Sequence, residues 1–214
     1  MIIFLNGVAT SGKTSIIHEI QKQASYPIMK LGVDNFIDMM PPDYYGWGDK
    51  AKEGIQFVRE EDENGPITRV YNGDFGRTVL HTISPVVAKM SSQGLNIAVD
   101  EVLFHDYYIK EYTKAFKGQK AYCIGIHCEL AELIRRENKR GGFSVGLGRD
   151  QISKVHGPTR HYDLEIDTTH TTPADCAHQI LAYVAATPKP QGFKKLEAAF
   201  RLQEEYSFQE IKAS

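Results

Sequence analysis

Residues 6–15 read NGVATSGKTS, directly after the apolar run IIFL at 2–5. Within them Gly7-Val8-Ala9-Thr10-Ser11-Gly12-Lys13-Thr14 fits G-x-x-x-x-G-K-[ST] at every position. The two glycines let the backbone curl so that its N–H groups converge on a phosphate. A helix starting near Lys13 adds the positive end of its dipole. The Lys13 ammonium then reaches the β- and γ-phosphates, and the Thr14 hydroxyl offers a hard oxygen to Mg²⁺. The flanks supply the context that an ordinary glycine-rich turn lacks. IIFLN (2–6) reads as a buried strand, and TSIIHEIQKQ (14–23) reads as a helix with Ile16, Ile17 and Ile20 on one face. The stretch therefore predicts a nucleoside triphosphate site, with ATP as the expected nucleotide and Mg²⁺ as its ion.

Working outward, short apolar runs alternate with amphipathic ones. Strands are expected at 27–33, 95–102, 120–128 and 162–169, with helices at roughly 74–93, 106–116, 129–139 and 173–186. This alternation predicts an α/β fold, a parallel sheet with helices on both faces. GIQFVREEDENGPITRVYNG (54–73) breaks the rhythm with two alternating segments around ENGP, the pattern of an inserted β-hairpin. MMPPDYYGWGDK (39–50) has loop composition and carries Trp47, the single tryptophan. TPKPQG (187–192) reads as a linker. Beyond it Phe193, Leu196, Phe200 and Leu202 lie near helical spacing, so a C-terminal helix is expected to dock on the body or on a partner. The expected division is a main domain over 1–186 and an appendage over 187–214.

Candidate chemistry clusters at strand ends, where an open α/β sheet places its ligand crevice. In LGVDNFID (31–38), Asp34 ends the second strand. It suits two roles: a base that takes the proton of an attacking hydroxyl, or the cap of a helix starting at Asn35. In IAVDEV (97–102), Asp100 ends a buried strand and would hold Mg²⁺ directly or through water, with Glu101 as the alternative acid. LIRRENKRGGFSVGLGRD (133–150) sets Arg135, Arg136, Arg140 and Arg149 around a glycine-rich loop. Such arginines can close over a triphosphate as a lid, here expected over 139–150, or simply end a solvated helix. Asp74-Phe75-Gly76 spells a protein-kinase metal motif without that family's catalytic loop, and Asn138-Lys139 does not continue into N-K-x-D; both are set aside.

Composition bounds the rest. The chain has 214 residues, 42% hydrophobic and 24% charged, with a formal net charge of −2. These values suit one globular domain and give no basic excess for nucleic acid or an anionic membrane. The 3 cysteines, Cys123, Cys128 and Cys176, make a poor disulfide framework and read as buried small hydrophobes in a reducing compartment. MIIFL is too short for a signal core, so a cytoplasmic protein is expected.

The P-loop, LGVDNFIDMMP, GIQF, VDEVLF, GIHCELAELIRRENKRG and YDLEIDTTH follow one another as in the chloramphenicol phosphotransferase family, over about the first 185 residues. The resemblance implies a kinase-like P-loop fold and transfer of the ATP γ-phosphate to a hydroxyl of a small molecule. It implies Asp34 as general base and an entry of IDTTH from the adenine side; Lys13 of the P-loop and Arg136 and Arg140 of the lid are the other expected catalytic residues. Where the family lid reads R-G-D-R this chain has Arg140-Gly141-Gly142-Phe143, so Arg149 is expected to supply the missing nucleotide contact. The window 34–60 offers Phe36, Tyr44, Tyr45 and Trp47 with mainly Arg59, which favours a neutral, partly apolar acceptor. A nucleotide, nucleoside or shikimate-type kinase, and an ATP-binding regulatory protein working through its C-terminal helix, are the competing readings. A homo-oligomer built on that helix would fit the last of these.

Overall fold

A computed structural model describes residues 1–201, apart from the Phe143 side chain. The central layer is a five-stranded parallel sheet in the order β2-β6-β1-β7-β8. Its strands are β1 (Ile2–Gly7), β2 (Met29–Gly32), β6 (Ile97–Glu101), β7 (Ala121–His127) and β8 (Leu164–Asp167). Every residue of β1 is buried, because it pairs with β6 on one side and β7 on the other and is covered on both faces. Alternation sends Ile2 and Phe4 toward one layer and Ile3 and Leu5 toward the other, so the run Ile2 to Leu5, covered on both faces, is apolar throughout, and the buried Asn6 that follows donates to the Tyr162 hydroxyl and accepts from the Leu103 N–H. Each such side chain contributes about 1.5–3 kcal/mol through burial.

Helices α1 (Lys13–Gln23) and α7 (Pro173–Ala186) cover the Ile3/Leu5 face through Ile16, Ile17, Ile20, Ala177 and Ile180. Helices α3 (Asp74–Ser92) and α4 (Asp106–Ala115) cover the other face through Ile83, Val87, Ile109 and Tyr112. The helix over 192–201 also lies on this face, with Leu196 and Phe200 buried and the Phe193 ring 5.5 Å from that of Phe4. The expected C-terminal helix thus docks on the body, and its apolar face is consumed there. Leu202 lies outside the described residues. All three cysteines are free and buried.

The inserted hairpin is β4 (Ile55–Asp62) and β5 (Gly65–Asn72), antiparallel, with Asp62 paired to Gly65 across a two-residue turn. Gly65 has φ +103°, a left-handed conformation that glycine adopts without strain. The loop composition of 39–50 resolves into a 3-10 turn at Pro42–Tyr44 and a two-residue strand β3 (Tyr45–Gly46) that extends the hairpin to three strands.

Two helices differ from the sequence reading. Helix α2 (Val33–Ile37) starts before Asp34, with the Gly32 N–H donating to Asn35 Oδ1 at 3.0 Å. Asp34 therefore lies in the first helical turn and is not the cap. The expected loop over 139–150 is mostly ordered into a turn and a helix. Helix α5 (Leu130–Arg140) stops at Gly141 and Gly142, with φ +71° and +61°, and α6 (Leu147–Val155) follows. The start of α6 is fixed by Glu137, whose buried carboxylate accepts from the N–H groups of Gly146 and Gly148 at 2.9 and 2.5 Å. An anion at a helix N-terminus is stabilising. This one comes from ten residues upstream, so local composition gives no hint of it.

Candidate active site

β1 delivers Gly7 to the carboxyl edge of the sheet, and α1 leaves from Lys13. A Cβ at Gly7 would come within 2.5 Å of the Ile126 carbonyl oxygen, so only glycine fits between β1 and β7. Gly12, at φ +99°, turns the chain into the helix. Lys13 is 5% exposed, and its Nζ donates to the carbonyls of Gly7 and Val8 at 3.0 and 2.9 Å. It stands 3.6 Å from Asp100 Oδ1, while Thr14 Oγ1 donates to Asp100 Oδ2 at 2.5 Å. Ala9, Thr10, Gly12, Lys13 and Thr14 open onto one cavity of about 750 Å³. Gly7, Val8 and Ser11 do not line it. They shape the loop from behind, with Val8 packed against Cys128, Leu133 and Val155. The Ala9 N–H donates to Gln151 Oε1 at 2.8 Å, which ties α6 to the loop. The Thr14 hydroxyl and Asp100 carboxylate are adjacent hard oxygens beside a lysine, a donor set that fits Mg²⁺ carried by a phosphate.

The arginines divide sharply. Arg136 donates to the carbonyl of Ser11 at 3.2 Å and to Thr168, its carbonyl at 2.6 Å and its hydroxyl at 3.1 Å. Its Nε donates to Glu132 at 2.7 Å, so the fork is clamped between the P-loop and the end of β8. Arg140 lines the cavity with no hydrogen bond or ion pair among the described residues. Arg149 corrects an expectation. It does not reach the cavity, because its guanidinium donates to both Asp62 oxygens at 2.6 and 2.7 Å and to the Gly65 and Pro66 carbonyls at 2.5 and 3.0 Å. These contacts commit it to the hairpin turn.

Asp34 opens onto the same cavity. Burial pushes its carboxyl above the ordinary range, the Asp100 charge adds to this, and Lys13 and Arg140 oppose it. Glu101 lies deeper, 3% exposed, with Tyr112 Oη donating to it at 2.7 Å. Burial pushes it up to about 8, so it is a neutral acid near pH 7 and a poor ion ligand beside Asp100.

The far half of the cavity is built by elements that no single motif announces. Ile55, Phe57, Val70 and Asn72 come from the hairpin, Leu80 and Ile83 from α3, Tyr108 and Tyr112 from α4. Of the aromatic residues expected at the acceptor, only Tyr45 lines it. Phe36 is turned into the core. The Tyr44 ring packs on Phe75 at 5.3 Å, and Arg59 lies over Trp47 at 5.4 Å while donating to the Gly142 carbonyl. The apolar character survives with different residues. The sequence signals for it are Ile55 and Phe57, alternating within GIQF, and the i, i+4 pair Tyr108 and Tyr112.

A phosphate-binding loop at the switch point of a parallel sheet, beneath arginines on α5, defines a kinase-like P-loop phosphotransferase fold. Solved kinases share it. A gluconokinase from Sinorhizobium meliloti 1021 superposes with TM-score 0.56 at 19% identity, covering 97% of this chain and 96% of that one. The Mycobacterium tuberculosis APS kinase CysC gives 0.59 at 14%, covering 86% and 96%. A tunicamycin resistance protein from Deinococcus radiodurans gives 0.59 at 15%, covering 86% and 94%. The chain belongs to the chloramphenicol phosphotransferase-like protein family, whose model matches residues 1–185. Two curated relatives from Mycobacterium tuberculosis, strains CDC 1551 and H37Rv, are provisionally named O-phosphotransferases. Each is 26% identical over 210 residues, spanning 93% of this chain and 88% of the relative. No helix among the described residues is long and apolar enough to cross a membrane.

Proposed function

We propose that the protein transfers the γ-phosphate of ATP to a hydroxyl of a neutral small molecule with an apolar body. One observation carries this reading. Lys13, Asp100 and Asp34 face the same cavity as an apolar wall whose residues from the hairpin, α2, α3 and α4 include no lysine or arginine. An acceptor half without cations gives no partner to a phosphorylated or carboxylated acceptor, which weighs against a nucleotide or shikimate-type kinase. Asp34 would take the hydroxyl proton, and Lys13 with Arg140 would neutralise charge on the transferring group. Thr14 and Asp100 would hold Mg²⁺, which offsets the triphosphate charge. Chloramphenicol-like antibiotics belong to this acceptor class, and a cytoplasmic setting would supply the nucleotide. An ATP-binding regulatory protein would need a free docking face on the C-terminal helix. Within the described residues, the side bearing Leu196 and Phe200 is already used by the body, which weighs against that reading and against an oligomer through this part of the helix.

The test is phosphorylation of a panel of neutral hydroxylated compounds with γ-labelled ATP, alongside anionic acceptors. Labelling confined to the anionic set would overturn the reading. Within this reading Arg140→Ala should slow transfer by on the order of a hundredfold or more, with little change in melting temperature, because the side chain has no partner to lose. An unchanged single-turnover rate would reduce Arg140 to a solvated helix end.

A further inference from the structure

The hairpin that walls the acceptor half is joined to the lid by a set of contacts that the transfer mechanism does not use. Thr68, fully buried in β5, receives the segment before α6. Its N–H donates to the Gly146 carbonyl at 3.0 Å and its Oγ1 to the Val145 carbonyl at 2.6 Å. The approach is close enough that a Cβ on Gly146 would sit 2.8 Å from the β5 backbone. At the hairpin tip Arg149 donates from Nη2 to both Asp62 carboxylate oxygens and from Nη1 to the Gly65 and Pro66 carbonyls. The hydrogen bond from Arg149 holds the Asp62 carboxyl below its usual range. Arg149 and Gly146 belong to the segment that Glu137 of α5 fixes through the Gly146 and Gly148 amides, and α5 carries Arg136 and Arg140. The middle of α6 is tied to the P-loop by Gln151, which accepts from the Ala9 N–H. The hairpin that carries four acceptor-wall residues is thus joined by hydrogen bonds to the segment anchored on α5, the helix of Arg136 and Arg140.

We propose that Arg149 and Thr68 are positioning residues, which fasten the acceptor-side hairpin to the lid so that nucleotide held by α5 and the P-loop orders the acceptor wall. A lid and a wall that move as one body give ordered binding: nucleotide capture shapes the pocket for the acceptor. By linkage the acceptor then strengthens nucleotide binding by the same factor. The inference rests on the proposed ATP site, and the experiment separates the two.

Amide hydrogen exchange is measured on the full chain with and without Mg²⁺ and the non-hydrolysable analogue AMPPNP, with calorimetry of AMPPNP binding in parallel. In the native protein the analogue should slow exchange at the α5 end and also over β5 residues 65–70, the latter by roughly fivefold or more. In Arg149→Met the α5 protection should remain, the β5 protection should be lost, and affinity should change by less than about threefold, since Arg149 lies off the phosphate site. Asp62→Asn, at the exposed tip, keeps the turn's shape and should give an intermediate loss, so the result does not depend on one variant folding well. A merely structural role would lower melting temperature without changing which segments the nucleotide protects. Equal β5 protection in the native protein and both variants would overturn the coupling, as would no β5 protection in the native protein. No calorimetric binding to the native protein would overturn the nucleotide reading itself, and this inference with it.

Discussion

Lys13→Ala is expected to lower ATP turnover by on the order of a thousandfold or more while the protein remains folded. The ammonium sits 3.6 Å from Asp100 Oδ1 and bonds the Gly7 and Val8 carbonyls, so it is already buried at the phosphate end before any ligand arrives. Its positive charge is preorganised there, and in a water-poor cleft such a charge acts on developing phosphoryl charge without reorganising. Truncation leaves two carbonyls without their donor and Asp100 without its nearby cation. The Val8 carbonyl keeps the Ser11 N–H, and Asp100, which lines the cavity, keeps the Thr14 hydroxyl, so the stability cost should stay near about 1–2 kcal/mol. The measurements are steady-state turnover and thermal unfolding of the same preparation. Near-native turnover in a folded variant would remove the phosphate assignment for this loop.

Asp34→Asn should reduce transfer by roughly two to four orders of magnitude, with nucleotide affinity little changed. Asparagine keeps the shape and loses the proton acceptor, while Lys13, Thr14 and Asp100, which would hold the triphosphate, are left unchanged. Because α2 begins at Val33 with Gly32 as its cap, the substitution does not remove a helix cap, and a collapse of stability is not expected. The pH profile gives a second readout. A base works only when ionised, and burial raises the Asp34 carboxyl above the usual carboxylate range. The rate should therefore fall on the acid side at a pH higher than a solvated aspartate would give, and that limb should vanish in the residual activity of Asp34→Asn. Transfer that survives the substitution would assign proton removal elsewhere.

The sequence by itself determined the sheet and the phosphate end of the site. A parallel strand covered on both faces favours an unbroken apolar run, and that makes IIFL legible before any coordinates. Gly7, Gly12, Lys13 and Thr14 lie within one turn of backbone, so their geometry is local and spacing fixes it. Asp34 and Asp100 were legible for a related reason: a residue at a strand's carboxyl end is carried to the crevice by the topology. Tertiary structure decided everything that depends on which distant segments meet. Arg149 carries the same local signature as Arg140, yet Asp62 and the hairpin turn capture it, because a carboxylate and two carbonyls lie within reach across the fold. Helix α6 needed Glu137 as its N-terminal anion, and the acceptor wall needed the hairpin folded over α3 and α4. Those contacts join residues 9 to 87 positions apart, and their energies come from burial and hydrogen-bond partners that chain order does not encode.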